Sequence, residues 1–229
     1  MVKQVGFGGG AAALGGLLAL RLADGTAGYL VQSWYIPVIV VSALILLALA
    51  GLTWFPALRR REPFELRPTA AGLLTGGLVA FPLVLGLAFE PRQLNSGNLN
   101  TDAVSARQFT ASAAVADPAR RNIYQWAYEF ETANPASIVG DSVEVVGFVF
   151  HREGAPADRF LVARFVVACC IADAQGFALP VQWKDAGDLK SDQWVRVIGR
   201  VTTAPEGELI IHATDIEMLE APSNPYIYP

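Results

Sequence analysis

The sequence predicts a membrane α-helical N-terminal region with three transmembrane helices, followed by an exported all-β domain. This domain is expected to be a five-stranded OB-like barrel preceded by one amphipathic helix. Only 17% of the 229 residues are charged and 53% are hydrophobic, whereas soluble domains carry about 25% charged residues. No charged residue occurs between Gly25 and Leu58. Beyond residue 140 the hydrophobic spacing becomes that of short strands separated by turns.

Three apolar segments, at about 4–22, 34–55 and 69–89, are the predicted spans of a transmembrane region 1–90. The second reads WYIPVIVVSALILLALAGLTWF and has aromatic residues at both ends. About 20 apolar residues cross a bilayer, and aromatic residues anchor the two interfaces. The first segment is rich in glycine and has a cleaved signal peptide as its alternative. A retained helix is favoured, because no A-x-A-like cleavage site precedes the polar turn at 23–26.

Two glycine pairs in these segments are candidates for helix docking. Gly6 and Gly10 are four residues apart, and so are Gly72 and Gly76. This spacing lets another helix approach closely. The equally weighted alternative is that glycine is simply frequent in membrane helices.

The loop between the second and third spans sets the expected orientation. Four arginines lie between Arg59 and Arg67, and short loops rich in arginine stay in the cytoplasm. The N-terminus is then also cytoplasmic and the region after Glu90 extracytoplasmic. That region carries 11 basic and 17 acidic residues, which disfavours nucleic acid as a partner because affinity for it depends on neutralising phosphates.

Residues 91–117 are polar and without clear period, which predicts a linker ahead of the exported domain, 118–229. Asp117 and Pro118 predict a helix start. The apolar spacing from Ile123 through Phe130 predicts an amphipathic helix that ends before Asn134.

Five strands are predicted in the exported domain, which fits a small barrel of the OB type, with a small open sandwich as the alternative. Gly147 and Gly199 are expected where barrel strands bend. The strands are predicted at 142–150, 160–168, 177–183, 194–201 and 209–219.

Adjacent cysteines, Cys169 and Cys170, with Asp173 close by and His212 in the last strand, are the candidate site. Thiolates and imidazole bind zinc or copper(I), so Cys169, Cys170 and His212 are the expected ligands of a transition metal. Successive strand residues face opposite ways, and a bulge or turn at 168–172 is therefore required. The favoured alternative is a structural role for the cysteines, and a redox role including a vicinal disulfide is a third.

No enzyme motif is found. The sequence has no Walker-type loop, dinucleotide fingerprint or Ser-His-Asp pattern, so no catalytic residues are expected. His151 is interpreted as a surface turn histidine. The second and third spans contain no ionisable residue, the usual mark of a conduction path.

Several segments resemble a bacterial membrane-protein family, the YcgQ-like companions of a larger multi-spanning permease. They are RFVVACCIADAQGFALPVQW at 164–183, QWVRVIGRV at 193–201, APSNPYIYP at 221–229 and, more weakly, ADGTAGYLVQSWY at 23–35. The resemblance implies an integral protein of the bacterial plasma membrane with a permease as partner. Its motif includes Arg164, Cys169, Cys170 and Asp173.

The expected function is that of an accessory permease subunit. Its helices would dock to the partner, and its exported domain would gate, capture or deliver substrate. Trp183, Trp194 and the tail aromatics are expected either to form a binding surface or to pack in the core. The alternative function is a membrane-anchored extracytoplasmic metal- or thiol-handling protein that uses Cys169, Cys170 and Asp173.

Overall fold

A computed structural model describes residues 2–60, 70–89, 91–99 and 117–228. The chain divides into two compact units, Met1–Arg92 and Gln93–Pro229. The first unit is helical and the second is built around a β-sheet.

The N-terminal unit contains three helices, which are α1 (Val2–Ala23), α2 (Ile36–Arg60) and α3 (Ala70–Ala88). Within the described residues, one helix is long and apolar enough to cross a membrane, at Ser33–Thr53 with a mean hydropathy of 2.6. The apolar part of α1, Gly8–Ala23, is shorter. The structure thus shows one apolar helix of spanning length, compatible with an anchor or a signal sequence, and a three-span arrangement stays a prediction.

Glycines bring the helices of this unit together. A Cβ atom on Gly15 of α1 would lie 3.0 Å from the Cγ atom of Leu47 on α2, and one on Gly86 of α3 would lie 2.7 Å from a methyl group of Leu17 on α1. Arg21 also donates a 2.5 Å hydrogen bond to the carbonyl oxygen of Gly86. The close approaches therefore depend on the absence of side chains at two glycines that the sequence analysis did not select.

Of the four glycines predicted to dock another helix, only Gly10 has surroundings that the structure describes. Gly10 is half-buried on α1. The surroundings of Gly6, Gly72 and Gly76 lie outside what the structure describes, as does the arginine-rich loop from residue 61 onward.

The amphipathic helix of the second unit, α4 (Ile123–Thr132), begins later than predicted. The Asn122 side chain accepts a hydrogen bond from the backbone of Gln125, whose side chain accepts one from the backbone of Asn122. This reciprocal cap satisfies two backbone N–H groups, so the helix starts there, while Pro118–Arg120 forms a separate 3-10 turn. The predicted end before Asn134 is confirmed, and a short helix, α5 (Pro135–Ile138), follows it.

All five predicted strands are present. They are β1 (Ser142–Phe150), β2 (Arg159–Val166), β3 (Gln175–Gln182), β4 (Trp194–Thr203) and β5 (Leu209–Leu219). β1 pairs with both β2 and β4, β2 with β3, and β5 with both β4 and β3, so the order β1-β2-β3-β5-β4 closes on itself. The pairing of β3 with β5 is parallel and the other four are antiparallel.

The core lies on one face of this sheet and is covered by α4. Val149, Val162 and Val181 are fully buried there together with Trp126 and Ile123 of α4. Gly147 of β1 lies under that helix, where a Cβ atom would be 2.5 Å from the Ala163 carbonyl oxygen and 2.7 Å from the Ile123 side chain.

The two glycines predicted at strand bends both lie where the sheet leaves no room for a Cβ atom, and one of them marks an irregular position. The second one, Gly199, lies at a register shift between Ile198 and Gly199 in the β4–β5 pairing. Gly147 allows a close approach of strand and helix. In both cases a side chain would collide with neighbouring backbone.

A second apolar cluster lies on the opposite face of β1 and β2. Phe148, Phe165 and Trp194 are buried in it against Leu99 and Tyr226. Successive residues of a strand point to opposite faces, so these side chains alternate with those of the core.

Segments from both ends of the unit cover this second cluster. The backbone N–H of Leu94 donates to the Tyr226 hydroxyl oxygen at 3.3 Å. The Ile227 N–H donates to the Phe165 carbonyl and the Val167 N–H to the Ile227 carbonyl, each at 2.9 Å. Part of the predicted linker thus packs on the domain, and residues 100–116 of it lie outside the described residues. Trp194 and Tyr226 are packed inside the unit, while Trp183 and Tyr228 are half-buried.

Candidate functional site

The cysteine pair lies in the connection between β2 and β3. The predicted second strand was two residues too long, because β2 ends at Val166 and Val167 turns to pair with the C-terminal tail. The chain then enters a 3-10 turn, Ile171–Asp173. This is the turn that the sequence analysis required if both thiols were to face one ligand. The two sulfur atoms lie 3.6 Å apart, and both cysteines are free thiols.

Asp173 fixes the shape of this turn. One oxygen of its carboxylate accepts the N–H of Ala168 at 2.8 Å. The other oxygen accepts the N–H groups of Cys169 at 2.8 Å and Cys170 at 3.2 Å. Three successive backbone donors therefore converge on one carboxylate, which holds the cysteine backbone in place.

The carboxylate also controls the protonation of the exposed thiol. The hydrogen bond from the Cys169 thiol to Asp173, followed by the neighbouring Cys170, raises the pKa of Cys169 to about 12. Burial raises the pKa of Asp173, but the Cys169 thiol and the three backbone N–H groups outweigh it and leave that pKa below its usual range. At neutral pH the site therefore holds an ionised carboxylate beside a protonated thiol. Nucleophilic cysteines need the opposite setting, an electropositive one.

The structure brings three ligand atoms together and leaves His212 elsewhere. The Sγ atoms of Cys169 and Cys170 and a carboxylate oxygen of Asp173 lie within 4.8 Å of one another. Among the described residues, these three side chains form a group that could hold a metal ion. His212 is exposed on β5, opposite Arg200 of β4 and Gln182 of β3. Of the two residues that the sequence offered beside the cysteines, Asp173 lies with the thiols and His212 does not.

Two other residues from the sequence analysis have structural partners. The Nε2 atom of His151 lies 2.8 Å from the Leu189 carbonyl oxygen, so this ring nitrogen is a donor to the backbone. Arg164 donates from Nε to the Pro225 carbonyl at 3.0 Å and from Nη2 to the Asn224 carbonyl at 2.9 Å.

Arg164 therefore anchors the C-terminal tail. Its guanidinium also lies over the Trp194 ring, 5.5 Å from the ring centroid. Burial lowers the pKa of Arg164 below its usual range, and an arginine remains charged in proteins. Because its hydrogen-bond partners are backbone carbonyls, no residue type in the sequence could have indicated this role.

The β domain with its cysteine turn lies in the part of the chain that matches a known domain family. Residues 119–229 match the family model described as the DUF1980 C-terminal domain. The match includes α4, all five strands, the cysteine pair and Asp173.

The chain is also similar to part of a longer curated protein. The chain is 25% identical over 103 residues to UPF0703 protein YcgQ of Bacillus subtilis (strain 168). The aligned region covers 41% of this chain and 35% of the relative. The chain thus covers about a third of the relative's length. The chain is thus similar over residues 119–229 to the DUF1980 C-terminal domain, and weakly similar to YcgQ.

Proposed function

We propose that this chain is a non-enzymatic accessory subunit of a multi-spanning permease in the bacterial plasma membrane. Its three apolar segments span the bilayer and dock to the permease. Its acidic β domain, a barrel of the OB type, lies outside the membrane and captures, gates or delivers the substrate. The family resemblance and the sequence charge pattern support this orientation.

The uncharged spanning helix carries this proposal. The helix at 33–53 contains no Asp, Glu, Lys or Arg, and neither does α3. Transport pathways are marked by ionisable residues inside the membrane. An uncharged membrane helix therefore fits a chain that accompanies a transport path provided by a second protein, which is the relationship of a subunit to a permease.

The outer surface of α2 supports a membrane environment. Val38, Leu44 and Leu52 are 59%, 61% and 72% exposed. Large apolar side chains exposed along a helix of this length would face water in a soluble unit, at a cost of about 25 cal/mol per Å². Lipid or the helices of a partner remove that cost.

The β domain supports the binding part of the proposal. Its strand pairings close on themselves, as in small OB barrels, which bind polymers and other ligands at their surface. The region from residue 91 onward carries a net charge of −6, from 11 basic and 17 acidic residues. An acidic domain favours cationic substrates over nucleic acid or anionic lipid.

Purification of the full chain after cross-linking in intact cells tests this function. We expect recovery of one multi-spanning membrane protein in an amount comparable to the chain. Gly77→Leu should reduce that recovery, because Gly77 is exposed on α3 and no described atom lies within 4 Å of its Cβ position. Cys169→Ser/Cys170→Ser, far from the helices in sequence, is the matched control. The proposal fails if the chain is recovered alone.

A further inference from the structure

We propose that Cys169, Cys170 and Asp173 bind one divalent transition-metal ion in tetrahedral geometry, with zinc as the reference ion. We further infer that this ion is the cargo that the β domain handles. The binding part stands on the geometry of the cysteine turn alone. The cargo part rests on the proposed permease function and names its substrate class.

The separation of the two sulfur atoms, which are in thiol–thiol contact, fits tetrahedral geometry. Thiolates bound to zinc lie about 2.3 Å from the metal, so two of them at the tetrahedral angle are roughly 3.8 Å apart. The observed separation of the Cys169 and Cys170 sulfur atoms is 3.6 Å. A linear two-coordinate ion would hold them roughly 4.6 Å apart at the same bond length. The turn therefore presents the thiols at the spacing of a tetrahedral edge.

The site is held ready before an ion arrives. The Asp173 carboxylate accepts hydrogen bonds from the backbone N–H groups of Ala168, Cys169 and Cys170. These bonds fix the carboxylate and the backbone of both cysteines relative to one another. One carboxylate oxygen accepts two of these donors and the other accepts one. The Cys169 thiol also donates to this carboxylate, and once that thiol has lost its proton the oxygen that accepts one N–H keeps a lone pair for a metal. Ligands that are fixed in advance bind with less loss of conformational freedom.

Charge and proton balance are consistent with a dication. As two sulfur–metal bonds form, each thiol releases its proton to water. The bound site then contains two thiolates, one carboxylate and a 2+ ion, a net charge of −1. Without the ion, the carboxylate and two thiolates would repel one another at these distances. No electron is transferred in this step.

The ligand set is open, which suits cargo rather than a structural ion. Structural zinc sites are closed by four protein ligands, whereas open sites keep a position for water or another ligand. Cys169, Cys170 and Asp173 supply at most three, and Cys169 is exposed. An incoming donor group of a partner can therefore reach the ion and take it over.

Zinc titration of the full chain in mild detergent and reductant, against a chromogenic chelator, tests the site. We expect one equivalent of zinc. Cys169→Ser/Cys170→Ser should weaken binding by more than about 100-fold and Asp173→Asn by about 10–100-fold. His212→Ala should bind as the unmodified chain does. Less than about a tenth of an equivalent, or unchanged affinity in the double variant, overturns the proposal.

A second measurement needs no variant. In the unmodified chain, zinc should slow alkylation of both cysteines, because bound thiolates are shielded from the reagent. Equal alkylation rates with and without saturating zinc would contradict the site.

The cargo part has its own test. In cells that contain the partner, the double cysteine variant should lower zinc uptake while the chain still purifies with the permease. Unchanged uptake with the partner retained refutes the cargo role alone. Recovery of the chain without any partner refutes the proposed function and leaves the zinc titration to decide the site.

Discussion

The carboxylate of Asp173 accepts a hydrogen bond from the backbone N–H of Cys169 at 2.8 Å and another from the Cys169 thiol. One side chain therefore shapes the turn and suppresses ionisation of the sulfur that it positions. This relationship affects the two chemical roles of a cysteine pair, nucleophile and metal ligand, in opposite ways. A negative neighbour disfavours a free thiolate but favours a bound cation.

Alkylation of Cys169 should be slow at neutral pH. In a Cys170→Ser background, the rate with iodoacetamide should keep rising through pH 9 and 10, because the pKa of Cys169 is about 12 in the native chain. The serine removes a smaller influence and leaves Asp173. Asp173→Asn removes the negative charge, lowers the thiol pKa and should speed the reaction at pH 8. A plateau below pH 9 without the Asp173 change would contradict this assignment.

Arg164→Lys should loosen the C-terminal tail. Lysine lacks the planar fork that reaches the Asn224 and Pro225 carbonyls and lies over Trp194. We expect a loss of about 1.5–3 kcal/mol in the free energy of unfolding, the range for hydrogen bonds to charged groups. Urea unfolding followed by tryptophan fluorescence measures it. Arg152→Lys, at an exposed turn, is the control and should change stability by less than about 0.5 kcal/mol.

Gly147→Ala should destabilise the β domain. The added methyl group would lie 2.5 Å from the Ala163 carbonyl oxygen and 2.7 Å from Ile123. Overpacking of this kind costs about 1–3 kcal/mol. Gly187→Ala is the matched control, because the nearest atom to its Cβ position, the Ala157 carbonyl oxygen, is 3.8 Å away. Equal unfolding midpoints for the two variants would refute the close contact of β1 with α4.

The two native cysteines can report the topology. The sequence contains no others, and the proposed orientation places both outside the membrane. A membrane-impermeant maleimide should therefore label the unmodified chain in intact, reduced cells, and the double serine variant should remain unlabelled. Labelling that requires permeabilised cells would place the β domain in the cytoplasm.

The strands of the β domain were predictable because alternating apolar residues and intervening turn residues mark them in the sequence. Residues 142–150 and 209–219 form strands at the predicted bounds, since their apolar spacing and turn residues are local features. The predicted start of α4 at Asp117 and Pro118 was wrong, because a second pair of residues nearby can also cap a helix. The helix begins at the reciprocal cap formed by Asn122 and Gln125. Competition between local signals is decided by the hydrogen bonds that each one completes.

The candidate site was half predictable. The sequence places Cys169, Cys170 and Asp173 within five residues, so one turn can unite them. His212 lies on β5, opposite Gln182 and Arg200, and outside the cysteine cluster, because strand order and not sequence spacing decides which residues lie beside a loop. The tail anchor at Arg164 and the packing of Leu99 were missed for a similar reason, since their partners are distant in sequence.

The cobalt(II) spectrum of the full chain tests metal binding by the cysteine turn, because it reports both the ligands and the geometry. We expect a near-ultraviolet sulfur-to-cobalt charge-transfer band and the intense visible bands of tetrahedral cobalt, at one equivalent of metal. Both should disappear in Cys169→Ser/Cys170→Ser and persist in His212→Ala. A weak octahedral spectrum without the charge-transfer band, or a spectrum unchanged by the double variant, would contradict it.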